Sequence, residues 1–263
     1  MYNELLKIGP FVVHGYGLMI AIGVFLALFL AERRAKKKGL DADCLYTLTF
    51  LCVIAGFIGA KLLFCLVEFK MLMTEPLRVL SSNGFVVYGG IIGGTLAAFL
   101  YIKKKKYDFW KYFDLVLPSV AVAQGFGRIG CFLAGCCYGR TTESWFGIAF
   151  QNSNFAPNNV KLIPTQLISA VGMFLIAAVL FVFDRKNTKK GRVGALYLIL
   201  YSIGRFFVEF LRNDYRGTVG PLSTSQFISI FILLIGIGLF VLLGMQPVEE
   251  TKMESEKKKE ENA

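Results

Sequence analysis

Seven stretches of this chain are each about 18 residues long or longer and largely apolar, the length a helix needs to cross bilayer hydrocarbon. They run Val12–Ala31, Cys44–Val67, Phe85–Ile102, Asp114–Ala134, Gln166–Phe183, Val193–Leu211 and Phe227–Leu243. Barrel strands are about half this length and alternate in polarity, so only helices fit. With 55% of its 263 residues hydrophobic, the chain is too apolar for an ordinary soluble domain. The apolar residues are also too evenly spread for a soluble domain on a single anchor. The expected fold class is therefore all-α, a polytopic membrane protein with seven transmembrane helices.

The formal charge of +11 raises the question of nucleic acid, and its location answers it. Fifteen of the 29 basic residues fall in three clusters, around Arg33–Lys38, Lys103–Lys111 and Arg185–Arg192. These follow the first, third and fifth apolar segments, so alternate loops are basic, as the positive-inside rule requires. The N-terminus is then expected outside and the C-terminus inside. No basic groove interleaved with aromatics is present, so no nucleic-acid partner is expected. The N-terminus lacks the basic start and cleavage site of a signal peptide. A single membrane domain is expected over residues 1–247. The residues at 248–263, mostly Glu and Lys, form a charged tail expected to be disordered in the cytosol.

Within this apolar frame a few charges stand out. Arg128 lies near the end of the fourth segment, in GRIGCFLAGCCYGR. An arginine at the bilayer centre costs roughly 2.5–3.5 kcal/mol on insertion scales, so a chain that carries one generally uses it. The overlapping GFGRIG matches a dinucleotide fingerprint in form only. No βαβ unit surrounds it, and helix packing accounts for its glycines. In the sixth segment Tyr201, Arg205 and Glu209 recur every four residues, placing a phenol, a guanidinium and a carboxylate on one stripe. Arg212 follows one turn later. A structural ion pair would allow Arg205 to be buried. Two guanidiniums converging on an anionic lipid headgroup is the favoured alternative, because arginine binds phosphate in two-point fashion.

Other features carry less. Gly89/Gly93 and Gly90/Gly94 are small-xxx-small pairs suited to close helix packing, or to a bare face that admits a headgroup beside Tyr88. Lys61 and Glu68 share a face of the second segment and either snorkel or pair. His14 is the single histidine, and a lone histidine is more often structural. Of the six cysteines, Cys44, Cys52 and Cys65 read as small apolar side chains. Cys131, Cys136 and Cys137 sit near the outer face, with no pairing assignable. Their C-x4-C-C spacing, without a second ligand pair, is poor for zinc, so neither a metal nor a cofactor is expected. The stretch from Gly135 to Pro164 is long for a connector, and Trp145, Phe146, Phe150 and Phe155 suit it to the lipid–water interface.

Taken in order, HGYGLM, GFIGAKL, VVYGGIIGG, GRIGCFLAGCCYGR, PTQL, YSIGRFFVEFLRNDYRG and LSTSQFIS resemble the prolipoprotein diacylglyceryl transferase family over most of the chain. The resemblance implies a seven-helix enzyme of the bacterial cytoplasmic (inner) membrane with its active site towards the outer leaflet. The family moves diacylglyceryl from phosphatidylglycerol to the lipobox cysteine of a preprolipoprotein signal peptide, and glycerol phosphate leaves. On this likeness Arg128 takes the place of the lipid-binding arginine, with Tyr16, Gly89, Gly90 and Gly139 also on the substrate side. Arg205, Glu209, Tyr201 and Tyr88 are the implied catalytic group. Tyr88 stands where the family usually has His; Cys131, Ala134 and Cys136 stand where it usually has Asn, Asn and Glu. The alternative implied by these departures is a diverged lipid-binding or lipid-transferring relative with a different acceptor or no catalysis.

Overall fold

The computed structural model describes residues 4–8, 11–82, 84–214 and 217–245. The expected tail at 248–263 lies outside them. The chain opens with a hairpin, β1 (Glu4–Ile8) and β2 (Phe11–His14), followed by α1 (Gly15–Lys37) and α2 (Asp43–Val67). Two single-turn helices, α3 (Phe69–Thr74) and α4 (Pro76–Ser81), lead to α5 (Val87–Lys104) and α6 (Phe109–Ala134). Strands β3 (Ile148–Ala149) and β4 (Lys161–Leu162) precede α7 (Thr165–Lys186) and α8 (Arg192–Glu209). Strands β5 (Thr218–Val219) and β6 (Leu222–Ser223) then lead into α9 (Thr224–Met245).

Each of the seven expected segments contains a helix. Five helices, α1, α2, α6, α7 and α9, are long and apolar enough to cross a membrane. The other two have 18 residues each. Helix α5 ends in Lys103 and Lys104, and α8 carries Arg192, Arg205 and Glu209, which lowers their apolar content. Large side chains such as Phe50, Phe57 and Leu66 of α2 stand more than half exposed, as a lipid-facing surface requires and water penalises.

Three expectations need correction. The fold is not purely helical, because three antiparallel strand pairs join the helices. Helix α1 begins at Gly15, not Val12, since residues 11–14 pair with β1. A short apolar run reads equally as strand or helix, and Val12 and Val13 are β-branched. Much of the basic charge lies on the last turns of α1, α5 and α7 instead of in loops. There it faces the negative end of each helix dipole.

The chain divides into two compact units. The smaller, Leu28–Tyr112, is built on α2 against α5. A Cβ added at Gly89 would sit 2.2 Å from the Gly59 carbonyl oxygen, so no larger residue fits this contact. Lys61 neither snorkels nor pairs with Glu68. Its ammonium donates to the carbonyls of Val79 at 2.9 Å and Ser82 at 2.7 Å, closing the end of α4. Phe64 and Phe85 rings flank it. In the loop before α2, the Asp41 carboxylate accepts from the Tyr107 hydroxyl, which pushes that phenol up to about 12.

The larger unit comprises Met1–Ala27 and Phe113–Ala263. Its core joins Ala121 of α6, Met173, Ala177 and Leu180 of α7, and Val193 and Tyr197 of α8. Buried Asp114 of α6 accepts from the backbone amides of Gly191 at 2.6 Å and Gly194 at 2.8 Å. Glycine and arginine begin α8 and offer no cap of their own, so a carboxylate from α6 satisfies its orphan amides. This contact sets how far α8 extends past α6, and therefore which residues of the two helices face each other. The segment between α6 and α7 has its own small core of Phe150, Ala156 and Leu162 under Phe132 and Tyr138. Trp145 projects from it, 93% exposed.

Candidate functional site

Two polar ladders face one another in the larger unit. On α6, Gln124 and Arg128 are one turn apart. On α8, Tyr197, Tyr201, Arg205 and Glu209 succeed each other at four-residue spacing. The Tyr197 hydroxyl donates to Gln124 Oε1 at 2.9 Å, and its ring stacks on Tyr201 at 5.7 Å with an interplanar angle of 19°. Above this contact Arg128, Tyr201 and Arg205 line a single cleft, walled by Ile168, Gly172 and Ile176 of α7. Arg128 and Arg205 thus share one cleft.

Their environments differ. Arg205 places Nη1 2.8 Å from Glu209 Oε2 and donates through Nη2 to Ser225 Oγ of α9 at 2.7 Å. The Glu209 contact is close but not aligned as a hydrogen bond, so that buried carboxylate oxygen retains accepting capacity. Arg212 is buried and grips Asp214 with both forks, at 2.9 and 2.7 Å. Burial works against its charge, but the bonds to Asp214 and the neighbouring Cys137 raise it above the ordinary arginine value. Arg128 makes no hydrogen bond or ion pair with any described residue. Three guanidiniums against two carboxylates leave one positive charge over, and it resides in the cleft. A broader depression lined by Thr141, Thr142, Glu143, Val160 and Lys161 contains neither cleft arginine, so it lacks that surplus.

Beyond Arg128 the chain folds over the end of α6. Gly135 and Cys137 both take positive φ, 74° and 62°, and reverse the backbone tightly. The start of α7 holds this turn: Thr165 Oγ1 donates to the Cys137 carbonyl at 2.8 Å, and Gln166 Nε2 to that of Cys136 at 2.7 Å. Gln166 Oε1 is buried with no hydrogen-bond partner among the described residues. The Sγ atoms of Cys131, Cys136 and Cys137 lie within 4.8 Å of one another. All six cysteines carry thiols. The Cys136 thiol is pushed far above its usual range by hydrogen bonding with Cys131 and Cys137, and by burial. Tyr16, 42% exposed in the first turn of α1, lies against Gly130 and within electrostatic reach of Arg128 and all three cysteines.

Gly139 occupies a crossing point. Its amide donates to the Ile163 carbonyl at 3.1 Å, it bridges to Arg212, and a Cβ there would stand 2.6 Å from the same Ile163 oxygen. It thus allows the post-α6 segment to pass between the starts of α7 and the post-α8 turn. Tyr88, Gly89 and Gly90 belong to the smaller unit. Tyr88 is 37% exposed in the first turn of α5, while Gly89 and Gly90 face α2 in the helix contact described above.

Sequence reasoning missed Ser225, Gln166, Asp214 and the full burial of Arg212. A Ser-Thr-Ser-Gln run at a helix start reads first as a capping signal, and Ser223 and Gln226 do bond reciprocally there. Ser225's bond to Arg205 had no signal along the chain.

Comparison with known proteins gives a consistent result. The family model described as prolipoprotein diacylglyceryl transferase matches residues 3–242. A phosphatidylglycerol–prolipoprotein diacylglyceryl transferase of Clostridium tetani is 51% identical over 230 residues, 87% of this chain and 92% of that protein. One of Clostridium perfringens is 47% identical over 241 residues, 91% of this chain and 94% of its own length. One of Staphylococcus aureus strain Newman is 33% identical over 242 residues, 89% of this chain and 86% of its own.

Proposed function

This chain belongs to the prolipoprotein diacylglyceryl transferase family, and from that premise we propose how its cleft serves the transfer. The donor is phosphatidylglycerol and the acceptor is a cysteine thiol of a prolipoprotein. The thiolate sulfur attacks the glyceryl carbon bearing the phosphate ester. The carbon–oxygen bond breaks, a thioether forms, and glycerol phosphate leaves with the electron pair. The observation that carries this reading is the guanidinium of Arg128, unpaired among the described residues, beside Arg205 in one cleft. Fixed positive charge that binds the growing negative charge of the leaving phosphate lowers the barrier. Arg128 holds the lipid phosphate. Arg205, oriented by Glu209 and Ser225, completes the clamp, and Tyr201 forms its floor.

Tyr16 and Gly139 are assigned to the substrate side of the site, Tyr16 through its place beside Arg128 and Gly139 by holding the turn over α6. Gly89 and Gly90 keep a lipid-binding assignment from their motif. Tyr88 is assigned from its motif position as the base that, as its phenolate, accepts the thiol proton. Replacing Tyr88 with Phe then abolishes turnover while lipid binding persists; unchanged turnover removes Tyr88 from the mechanism. The seven apolar helices all span the bacterial cytoplasmic membrane, with the N-terminus outside, the C-terminus inside and the cleft towards the outer leaflet. The acceptor cysteine lies in a lipobox signal peptide.

The decisive experiment incubates purified protein with phosphatidylglycerol and a lipobox peptide. Mass spectrometry should find a diacylglyceryl thioether on the peptide and free glycerol phosphate. Lipid binding that needs Arg128 without any thioether product would leave a lipid-binding relative with no transferase activity.

A further inference from the structure

We propose that Cys131, Cys136 and Cys137 form a binding site for one thiophilic divalent ion of the zinc class. Three sulfurs already lie within 4.8 Å of one another, although they come from two different backbone conformations. Cys131 belongs to α6, whereas Cys136 and Cys137 follow a reversal at Gly135. In a tetrahedral site with Zn–S bonds of about 2.3 Å, ligand sulfurs stand about 3.8 Å apart. The cluster therefore needs to contract by roughly 1 Å at most, within the reach of side-chain rotation.

The backbone supports the same assignment. Cys137 takes φ 62°, a left-handed conformation that costs a residue with a Cβ on the order of 1 kcal/mol. Glycine would take it freely, so a side chain at this point is held there by its surroundings. The surroundings are the start of α7, where Thr165 and Gln166 fix the carbonyls of Cys137 and Cys136. Gln166 also brings a buried amide oxygen, with no hydrogen-bond partner among the described residues, to the edge of this turn.

Electrostatics select the ligand. Three thiolates at this spacing repel one another and cannot all ionise alone. A divalent cation reverses that, leaving a net charge of −1 for the filled site. Arg128, one turn before Cys131, and Arg212, beside Cys137, supply permanent positive charge around it. Soft thiolate donors exclude calcium and magnesium, which take oxygen ligands. Spacing read along the chain counts ligand pairs and finds only one here, whereas folding brings the third thiol to the other two. Three protein ligands leave the fourth tetrahedral position open to an exogenous ligand.

The test uses the full-length protein in detergent with a non-thiol reductant and no chelator other than the indicator. Titration with Zn²⁺ against a chromophoric chelator should give one tight site per chain. Cd²⁺ in its place should produce a thiolate-to-metal charge-transfer band. Cys131→Ser, Cys136→Ser and Cys137→Ser should each weaken binding by more than the roughly 10–100-fold that a mere supporting residue is worth. The triple Cys44→Ser, Cys52→Ser, Cys65→Ser variant should bind as the parent does. A measurement on the parent alone guards against misfolded variants: Zn²⁺ should protect Cys131, Cys136 and Cys137 from alkylation, read by peptide mass spectrometry. Absence of a tight site, or protection confined to other cysteines, overturns the proposal.

Discussion

At the scale of single residues, the cleft is organised by which arginine lacks a counter-charge. Arg205 and Arg212 are neutralised by Glu209 and Asp214, and Arg128 meets no carboxylate among the described residues. Arg128→Lys keeps the charge and loses the planar fork, so kcat/KM for phosphatidylglycerol should fall on the order of 10²-fold, as when one preorganised donor is removed. A lysine that restored full activity would show that charge alone suffices. Glu209→Gln leaves the nearly buried Arg205 without its carboxylate; breaking such a pair costs roughly 3–5 kcal/mol. Thermal unfolding in detergent should reveal the loss, and Arg205→Gln in the same background should recover part of it. The arginines and Glu209 were legible in the sequence because charge inside an apolar segment is conspicuous. Ser225 was not, because its value lies in a 2.7 Å contact between side chains 20 residues apart.

At the scale of elements, two contacts position the rest. The α2–α5 seam relies on Gly59 and Gly89, and Gly89→Val would drive its Cβ atom into a backbone oxygen. The two helices cannot separate locally, so this variant should fail to accumulate, measurable as loss of folded protein in the membrane fraction. The glycine spacing announced close packing; which glycine met which partner required the crossing of the helices. The Asp114 cap on α8 is the opposite case. Nothing in the α8 sequence supplies a cap, and the carboxylate comes from 77 residues earlier. Asp114→Ala should cost more than the about 0.5–2 kcal/mol of an ordinary cap, since two buried amides lose their acceptor. It should also lower activity, because α8 carries Tyr201, Arg205 and Glu209. Unchanged activity at reduced stability would confine Asp114 to a structural role.

At the scale of the whole molecule, the arrangement of charge along the chain predicts orientation. Basic residues gather at the ends of α1, α5 and α7, and Trp145 projects from the segment between α6 and α7. In intact cells an impermeant maleimide, read at the introduced residue by peptide mass spectrometry, should label Trp145→Cys and spare Lys105→Cys; the reverse pattern would invert the proposed topology. The mostly helical character and the basic asymmetry were readable from sequence because hydropathy and charge are properties of single residues, summed over a window. The strand pairs at 4–14 and 218–223, the three-thiol cluster and the sharing of carboxylates among three arginines were not. Each depends on where the backbone turns and which side chains the turn brings together, and residue identity alone does not fix that. By itself, then, the sequence determined that this chain is a bundle of apolar helices holding an arginine too costly to carry without use. Only tertiary structure decided that Arg128 shares one cleft with Arg205 and meets no carboxylate among the described residues, because pairing in an apolar interior is settled by which side chains packing brings within a few ångströms.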